Sequence, residues 1–212
     1  LEVLKTGLPE YTVVGVGRED GKTAGEYAPI FFKQAKYTLL DQNTFWLCEK
    51  PDSVGMVGWD AALTRIATWV KLQDKKTGQI LMVVNTHFDH IGTEARRNSA
   101  LLIIEKIKEI VGTSPAILTG DFNVSEDWDA YKTITNNEFI LKDAHKVAGK
   151  RTGVDFTYHN FGKIPAEKCE KIDFIFVTPQ IRVISSYIPF SQLNDTLFLS
   201  DHNPEIVELE IK

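Results

Sequence analysis

Polar side chains that can bind a phosphate or move a proton follow an apolar, strand-like run at residues 80–84. They form the motif Asn85-Thr-His87-Phe-Asp-His90. Because side chains alternate along a strand, Asn85 and His87 are predicted to share one face. A polar loop with one structural histidine is the alternative interpretation of this motif.

A second motif, Thr-Gly-Asp121-Phe-Asn123, lies between a strand-like run and a predicted helix. We expect the side chains of Asp121 and Asn123 to point the same way. An aspartate and an amide two residues apart can hold an attacking water together with a metal ion or a phosphoryl oxygen. A strand-to-helix turn also favours Gly, Asp and Asn, so a purely local role is the alternative.

Two further segments pair acids with a histidine. Asp201 and His202 stand side by side before the last predicted strand, where they can act as a metal carboxylate and a general acid or base. Asp173 opens an apolar strand, and a buried carboxylate there needs a partner. His202 is the predicted partner, with Asp173 fixing its tautomer and raising its pKa. An Asp-Asn-Pro turn and a solvated carboxylate are the alternatives.

Arg65 begins another strand-like run, at residues 65–70. The fork of a guanidinium group suits bidentate contact with a phosphate. A surface arginine with no ligand is the alternative interpretation.

These side chains need a frame, and the sequence predicts mostly strands with a few helices between them. Apolar residues at 3.6-residue spacing predict a helix over residues 94–111 with Thr93 as its N-cap. A second helix is predicted over residues 125–136 with Ser125 as its N-cap, and residues 74–78 predict a hairpin turn. The predicted strands are 11–16, 29–33, 44–48, 66–72, 79–86, 116–119, 172–177, 182–189 and 205–211.

Composition and charge limit the class of protein. The chain has 212 residues, of which 43% are hydrophobic, and this predicts one globular domain. Its 24 basic and 29 acidic residues give a net charge of −5, which argues against tight binding to duplex nucleic acid. No apolar run is long enough to span a bilayer, and two cysteines exclude a disulfide framework. We expect a monomer, and the sequence leaves the cellular location open.

Arg65 and the motifs NTHFDH, TGDFN, KIDFIF and SDH occur in an order that resembles the endonuclease/exonuclease/phosphatase superfamily. TGDFN and SDH are the most specific of these motifs. Segments within residues 17–27 and 44–60 look like the bacterial branch near the deadenylase-like members. The resemblance implies an α/β (α+β) fold, namely a four-layer α/β/β/α sandwich with two mixed, mostly antiparallel sheets.

The resemblance also implies a reaction, which is hydrolysis of a phosphodiester or phosphomonoester by in-line attack of an activated water with Mg²⁺ or Mn²⁺ as cofactor. Asp121 would orient or deprotonate the water, and Asn123 would hold a phosphoryl oxygen or the metal ion. His202 would face the scissile phosphate, supported by Asp173. Fixed cations and donors at the phosphoryl oxygens lower the barrier to such a reaction.

Further residues are expected to bind the metal ion or the substrate. The resemblance implies Asp201, Asp121 and Asn123 as metal ligands. It implies that His87 and Arg65 bind the phosphate and stabilise its transition-state charge. The other predicted pocket residues are Asn85, His90, Glu26 and Asp60. The expected partner is a phosphate ester, carried by a small molecule, a lipid head group or a single-stranded nucleic acid.

Two features of the sequence keep other hypotheses open. The family's Asn at the end of its first strand and its Glu before the first helix cannot be placed, so residues 1–212 are expected to form a single domain that lacks its first strand or strands. The missing Glu leaves open the hypothesis of a catalytically degenerate domain that only binds a phosphate-bearing ligand. The segment His87-Phe-Asp89-His90 also matches part of the zinc-binding pattern of metallo-β-lactamase-like hydrolases, with Asn85 in place of the first histidine.

Overall fold

The computed structural model describes residues 1–112, 114–136, 139, 141–194 and 197–212. The helices are α1 (Glu2–Gly7), α2 (Thr93–Val111), α3 (Asp129–Thr135) and α4 (Ala144–Val147), with a short 3-10 helix at Ala166–Lys168. The strands are β1 (Tyr11–Val14), β2 (Ile30–Lys33), β3 (Tyr37–Trp46), β4 (Ile66–Asp74), β5 (Ile80–His87), β6 (Ala116–Asp121), β7 (Lys142–Asp143), β8 (Lys150–Gly153), β9 (Asp173–Val177), β10 (Ile181–Ile188), β11 (Gln192–Asn194), β12 (Leu197–Phe198) and β13 (Ile206–Ile211).

A six-stranded sheet in the order β3-β4-β5-β6-β9-β7 is the largest layer of the structure. Strands β5 and β6 run parallel, because α2 forms the crossover between them, and every other pair in this sheet is antiparallel. Strands β5 and β6 therefore end at the same edge of the sheet, which places the NTHFDH and TGDFN motifs together.

Helices α2 and α3 cover one face of this sheet. The face of α2 that packs on the strands carries Ala100, Ile103, Ile107 and Val111, all buried, as the 3.6-residue spacing predicted. Phe122, Phe174 and Phe176 fill the space beneath α3 with ring centroids 5.2–6.0 Å apart. This is the largest cluster of buried apolar side chains among the described residues.

Two smaller sheets pack on the opposite face of the six-stranded sheet. Strands β1 and β2 bury Val14, Ile30 and Phe32 against β4, and the sheet β13-β10-β8 buries Ile181 and Val183 against the six-stranded sheet. The result is an α+β sandwich of mostly antiparallel sheets, which confirms the predicted fold class. No described helix has the length and the apolar character that crossing a membrane requires.

The structure corrects several element boundaries. Strand β3 begins at Tyr37 rather than Thr44, because its exposed polar half is held by pairing with β4 and not by burial. Helix α3 begins at Asp129 with Trp128 as N-cap, whereas Ser125 precedes it in a turn and bonds Glu170 through its hydroxyl. The predicted hairpin turn at residues 74–78 is confirmed, with Gly78 at φ +74°.

The aromatic cluster beneath α3 supplies a stability prediction. Phe176 is fully buried, so Phe176→Ala should lower the free energy of unfolding by about 3–5 kcal/mol through lost transfer energy and a residual cavity. Urea denaturation measures this change. The exposed Phe161 is the matched control, and an equal loss in Phe161→Ala and Phe176→Ala would show that the cluster is not the core.

Candidate functional site

Three chemically active side chains are neighbours across three adjacent strands. His87 at the end of β5 is in register with Asp121 at the end of β6, and Asp121 is in register with Asp173 at the start of β9. His87 Nε2 lies 3.4 Å from Asp121 Oδ2. Gly120 makes this close approach possible, since a Cβ there would lie 2.2 Å from the carbonyl oxygen of Thr86.

His202 reaches the same place from the loop before β13. Its Nδ1 lies 2.7 Å from Asp173 Oδ2, and its Nε2 lies 4.0 Å from Asp121 Oδ2. The ring is also held against Tyr158, whose centroid is 4.9 Å away. The contact between Asp173 and His202 is the pairing that the sequence predicted, and it leaves Nε2 directed toward Asp121.

The protonation states in this cluster are set by burial and by neighbouring charges. Burial and the negative charge of Asp173 raise the pKa of Asp121 to about 6. Burial and the positive charge of Arg65 lower the pKa of His87 to about 4, so that ring is neutral near pH 7. Burial opposes the proton on His202, but the hydrogen bond and charge of Asp173 outweigh it and raise the pKa of His202.

Arg65 is a buried cation beside the cluster, with only 4% of its surface exposed. Its Nη2 lies 3.2 Å from His90 Nδ1, its Nε lies 3.6 Å from Asp89 Oδ2, and its Nη1 lies 3.8 Å from Glu26 Oε2. Neither Nε nor Nη1 has a hydrogen-bond partner in the described structure. Buried donors without hydrogen-bond partners are costly, and the charges of the Asp89 and Glu26 carboxylates offset part of that cost.

Asp89 holds this end of the site together, and sequence reasoning missed its role. Its carboxylate is buried and accepts the backbone amides of Leu63, Ile91 and Gly92. Burial alone would raise the pKa of Asp89, but these amide donors outweigh it and lower the pKa to about 2. The sequence motif indicates a polar site through its histidines, but it carries no signal that the Asp89 carboxylate accepts the amide of Leu63, which lies 26 residues away.

Glu26 completes the rim of the cluster from the loop before β2. Its carboxylate pairs with Arg18 and lies 3.9 Å from Nδ1 of His87. The predicted pocket residue Glu26 is therefore brought to the site. Arg18 was not predicted as a site residue, although it lies in the segment that carried the upstream resemblance.

Asn123 and Asn85 lie near the cluster but are occupied by the protein. Asn123 adopts φ +50°, so strand alternation ends at Asp121. Its amide group donates to the carbonyl of Phe88 at 3.0 Å, and its backbone N–H donates to Asp121 Oδ1. Asn85 donates to the carbonyl of Pro29 and accepts from the Thr119 hydroxyl. Their roles toward substrate or metal stay predictions.

Asp60 and Asp201 are not part of the cluster. Asp60 caps α2, because its two carboxylate oxygens accept the backbone amides of Glu94 and Ala95. This aspartate, rather than the predicted Thr93, satisfies the start of the helix. Asp201 accepts from the Ser200 hydroxyl, and its carbonyl oxygen accepts amides of residues 159 and 160. Metal binding by Asp201 stays a prediction.

The cluster has the donor set that a hard divalent cation prefers. Asp121, Asp173 and His202 each offer a ligand atom within 4.8 Å of the other two. Mg²⁺ and Mn²⁺ take carboxylate and water oxygens and often use only one or two carboxylates. A cation beside Asp121 would also offset the repulsion that raises its pKa. The residues present therefore fit such an ion.

Comparison with known proteins identifies the family. The profile of the Endonuclease/Exonuclease/phosphatase family matches residues 10–202, which include the whole cluster. The chain belongs to this family, as its motifs indicated. Membership of this family removes the support for a metallo-β-lactamase-like hydrolase. The acid and the second histidine of that pattern are also engaged within the protein, because Asp89 accepts backbone amides and His90 contacts Arg65.

Solved structures of bacterial proteins resemble this chain closely. An endonuclease/exonuclease/phosphatase from Bacteroides vulgatus is 64% identical with a TM-score of 0.96, covering 100% of this chain and 80% of that one. A mannosyl-6-phosphatase of Bacteroides thetaiotaomicron is 37% identical with a TM-score of 0.92, covering 100% of this chain and 81% of that one. The catalytic domain of human Nocturnin, 16% identical with a TM-score of 0.75 over 100% of this chain and 76% of that one, shares the fold. The neighbours thus include bacterial members of the family, as the resemblance suggested.

The buried carboxylate of Asp89 gives the site a pH-dependent stability. Its pKa falls from 3.8, the ordinary value of an aspartate, to about 2 in the folded protein. The stabilisation is therefore present above pH 4 and lost as the pH falls toward 2, and it amounts to about 2–3 kcal/mol. Asp89→Asn should remove that contribution at pH 7 and flatten the stability profile between pH 5 and 2.5.

Urea denaturation across that pH range measures the effect of Asp89→Asn. The surface variant Asp52→Asn is the control, because this side chain is exposed. Parallel profiles for wild type and Asp89→Asn would contradict the role given to the amide-bound carboxylate.

Proposed function

We propose that this chain is a divalent-metal-dependent hydrolase of phosphoric esters. The observation that carries the proposal is the placement of a carboxylate, an imidazole and a buried guanidinium at one end of the sheet. Asp121 lies between His87 and His202, and Arg65 is close enough for its charge to act on Asp121. This arrangement suits in-line attack of water on a phosphorus atom.

Asp121 and His202 divide the proton transfers. A carboxylate in the position of Asp121 can take a proton from the attacking water, and burial beside Asp173 makes it more basic than a free aspartate when no cation is bound. His202, whose pKa is raised by Asp173, takes up a proton more readily than a free imidazole, and its Nε2 can donate that proton to an oxygen of the ester. Neighbouring groups with distinct proton affinities are the usual sign of an acid and base pair.

Arg65 and His87 bind the phosphoryl group. The buried guanidinium of Arg65 would supply positive charge near the equatorial oxygens, where negative charge accumulates in the transition state. His87 is neutral because burial and Arg65 lower its pKa, so it acts as a hydrogen-bonding group. Asp121, with Asp173 nearby, would hold the cation, which when bound polarises the phosphoryl oxygens and neutralises charge.

The substrate class is a small phosphate ester, and a sugar phosphate is the first one to test. The relative that is a mannosyl-6-phosphatase is 37% identical over the whole chain. The net charge of −5 disfavours a long nucleic acid as substrate. A phosphodiester is the second substrate class, and a domain that binds phosphate without hydrolysing it is the remaining alternative.

Asp121→Asn should abolish most activity without unfolding the protein. We expect kcat for phosphate release from a hexose 6-phosphate with Mg²⁺ to fall about 10²–10⁴-fold, because the general base is lost. Since the folded pKa of Asp121 is raised from 3.8 to about 6, its charge costs stability that grows as the pH rises through that range. The metal-free variant should therefore be more stable than wild type at pH 7, by about 2–3 kcal/mol.

The exposed Asp41 on β3 provides the matched control, and Asp41→Asn should keep wild-type activity. Activity retained by Asp121→Asn together with lost stability would mean that Asp121 is a structural turn residue. No phosphate release by wild type from a hexose 6-phosphate or a phosphodiester, with Mg²⁺ or Mn²⁺, would favour the binding-only domain.

A further inference from the structure

Three nitrogen groups from separate parts of the chain surround one carboxylate oxygen of Glu26. Arg18 Nη1 donates a hydrogen bond to Glu26 Oε2. Arg65 Nη1 lies 3.8 Å and His87 Nδ1 lies 3.9 Å from the same oxygen. Burial and the nearby charge of Arg18 lower the pKa of Arg65, as expected for two cations that share one anion. We call Arg18, Arg65 and His87 the two-arginine site.

The two-arginine site adjoins the reacting centre. His87 belongs to both, because its Nδ1 faces Glu26 while its Nε2 lies 3.4 Å from Asp121 Oδ2. Arg65 is also close enough for its positive charge to act on Asp121. A phosphoryl group held by the two arginines would therefore lie next to the carboxylate that activates the water.

Arg18 is held in position by the loop that carries it. Its backbone N–H donates to the carbonyl of Glu26, and its own carbonyl accepts the indole N–H of the buried Trp46. Gly17 permits the tight path of this loop, since a Cβ there would lie 2.2 Å from the carbonyl oxygen of Ala24. The side chain of Arg18 is only 11% exposed, so its guanidinium is in place before any ligand binds.

Glu26 differs from the two arginines because its side chain lies at the surface. It is 61% exposed, against 11% for Arg18 and 5% for Arg65. An exposed carboxylate can turn into water and be solvated there, and an ion pair with such a partner is weak. A buried guanidinium has no such alternative. Glu26 is therefore the member of this group that an incoming anion can replace.

The charges of the site favour a ligand with two negative charges. Arg18 and Arg65 carry two positive charges, and in the free protein Asp89 and Glu26 balance them. A phosphodiester carries one negative charge, so exchanging it for one carboxylate gains no net Coulomb attraction. A phosphomonoester carries about 1.5 to 2 negative charges near pH 7. It also has a third free oxygen, which suits recognition by two guanidinium groups.

We infer that Arg18, together with Arg65, binds the terminal phosphoryl group of a phosphomonoester, and that this group displaces the carboxylate of Glu26. The inference rests on the proposed phosphoesterase function and narrows its substrate class from phosphoric esters in general to monoesters. Arg18 contacts the phosphoryl oxygens and distinguishes monoesters from diesters. Glu26 keeps the site neutral in the free protein.

Hydrolysis of two esters with the same leaving group tests the role of Arg18. Wild type, Arg18→Met and Arg18→Lys are compared on p-nitrophenyl phosphate and bis(p-nitrophenyl) phosphate with Mg²⁺, and Arg97→Met, at an exposed position, is the control. Arg18→Met should lower kcat/KM about 10- to 100-fold for the monoester and less than about threefold for the diester. Arg18→Lys, which keeps the charge, should retain part of the preference for the monoester. Equal losses for the two esters would overturn the inference.

Calorimetry with inorganic phosphate at pH 8 tests the displacement of Glu26. Glu26→Gln removes the competing charge and should tighten phosphate binding about 3- to 10-fold, whereas Arg18→Met should weaken it about tenfold or more. Glu19→Gln, an exposed change in the same loop, should leave the affinity unchanged. Because Glu26 is exposed, Glu26→Gln should fold normally even if Arg18→Met does not.

The binding measurement separates this inference from the proposed function. Opposite shifts in Glu26→Gln and Arg18→Met support the two-arginine site even if wild type hydrolyses neither ester, a result that would overturn only the proposed function. Unchanged or weaker phosphate binding by Glu26→Gln would overturn the displacement of its carboxylate. The proposed function would then still stand if wild type releases phosphate and Asp121→Asn does not.

Discussion

Two half-buried carboxylates, Asp121 and Asp173, are held in register on neighbouring strands at one end of the sheet. Their mutual repulsion and burial raise the pKa of Asp121, so the protein carries a local electrostatic cost. The hydrophobic core keeps them together, because Phe174 and Phe176 follow Asp173 on β9 and are buried beneath α3. His202 relieves part of the cost at Asp173. A cation bound beside the two carboxylates would relieve the remaining repulsion and would attract a phosphoryl group.

Arg65 is a second charged group whose burial costs stability and whose charge can serve the site. Its guanidinium is buried with two donors unpaired, and its neighbour Asp89 is fixed by backbone amides rather than by a full ion pair. The site therefore combines an acidic half suited to a cation with a basic half suited to an anion, joined by the neutral His87.

The sequence predicted much of this arrangement, because strand ends can be recognised locally. Apolar runs end at His87 and Asp121, and another begins after Asp173. The carboxylate of Asp173 at the start of an apolar strand predicted a partner, and His202 is that partner. Contacts between segments that are distant in the sequence could not be predicted, because a local pattern carries no information about them. The capping of α2 by Asp60 joins residues more than thirty positions apart, and the stacking of Arg96 on Trp128 joins α2 to the N-cap of α3. Helix α3 also starts later than its polar first residues suggested.

Binding of Mn²⁺ tests the central claim, which is that the paired carboxylates form a site for a divalent cation and a phosphate ester. Calorimetric titration of wild type, Asp121→Asn and Asp173→Asn with Mn²⁺ measures it directly. The structure predicts one site in wild type, with affinity reduced about tenfold or more in each variant, since each removes one charged ligand. Equal Mn²⁺ affinity in all three proteins would contradict the account.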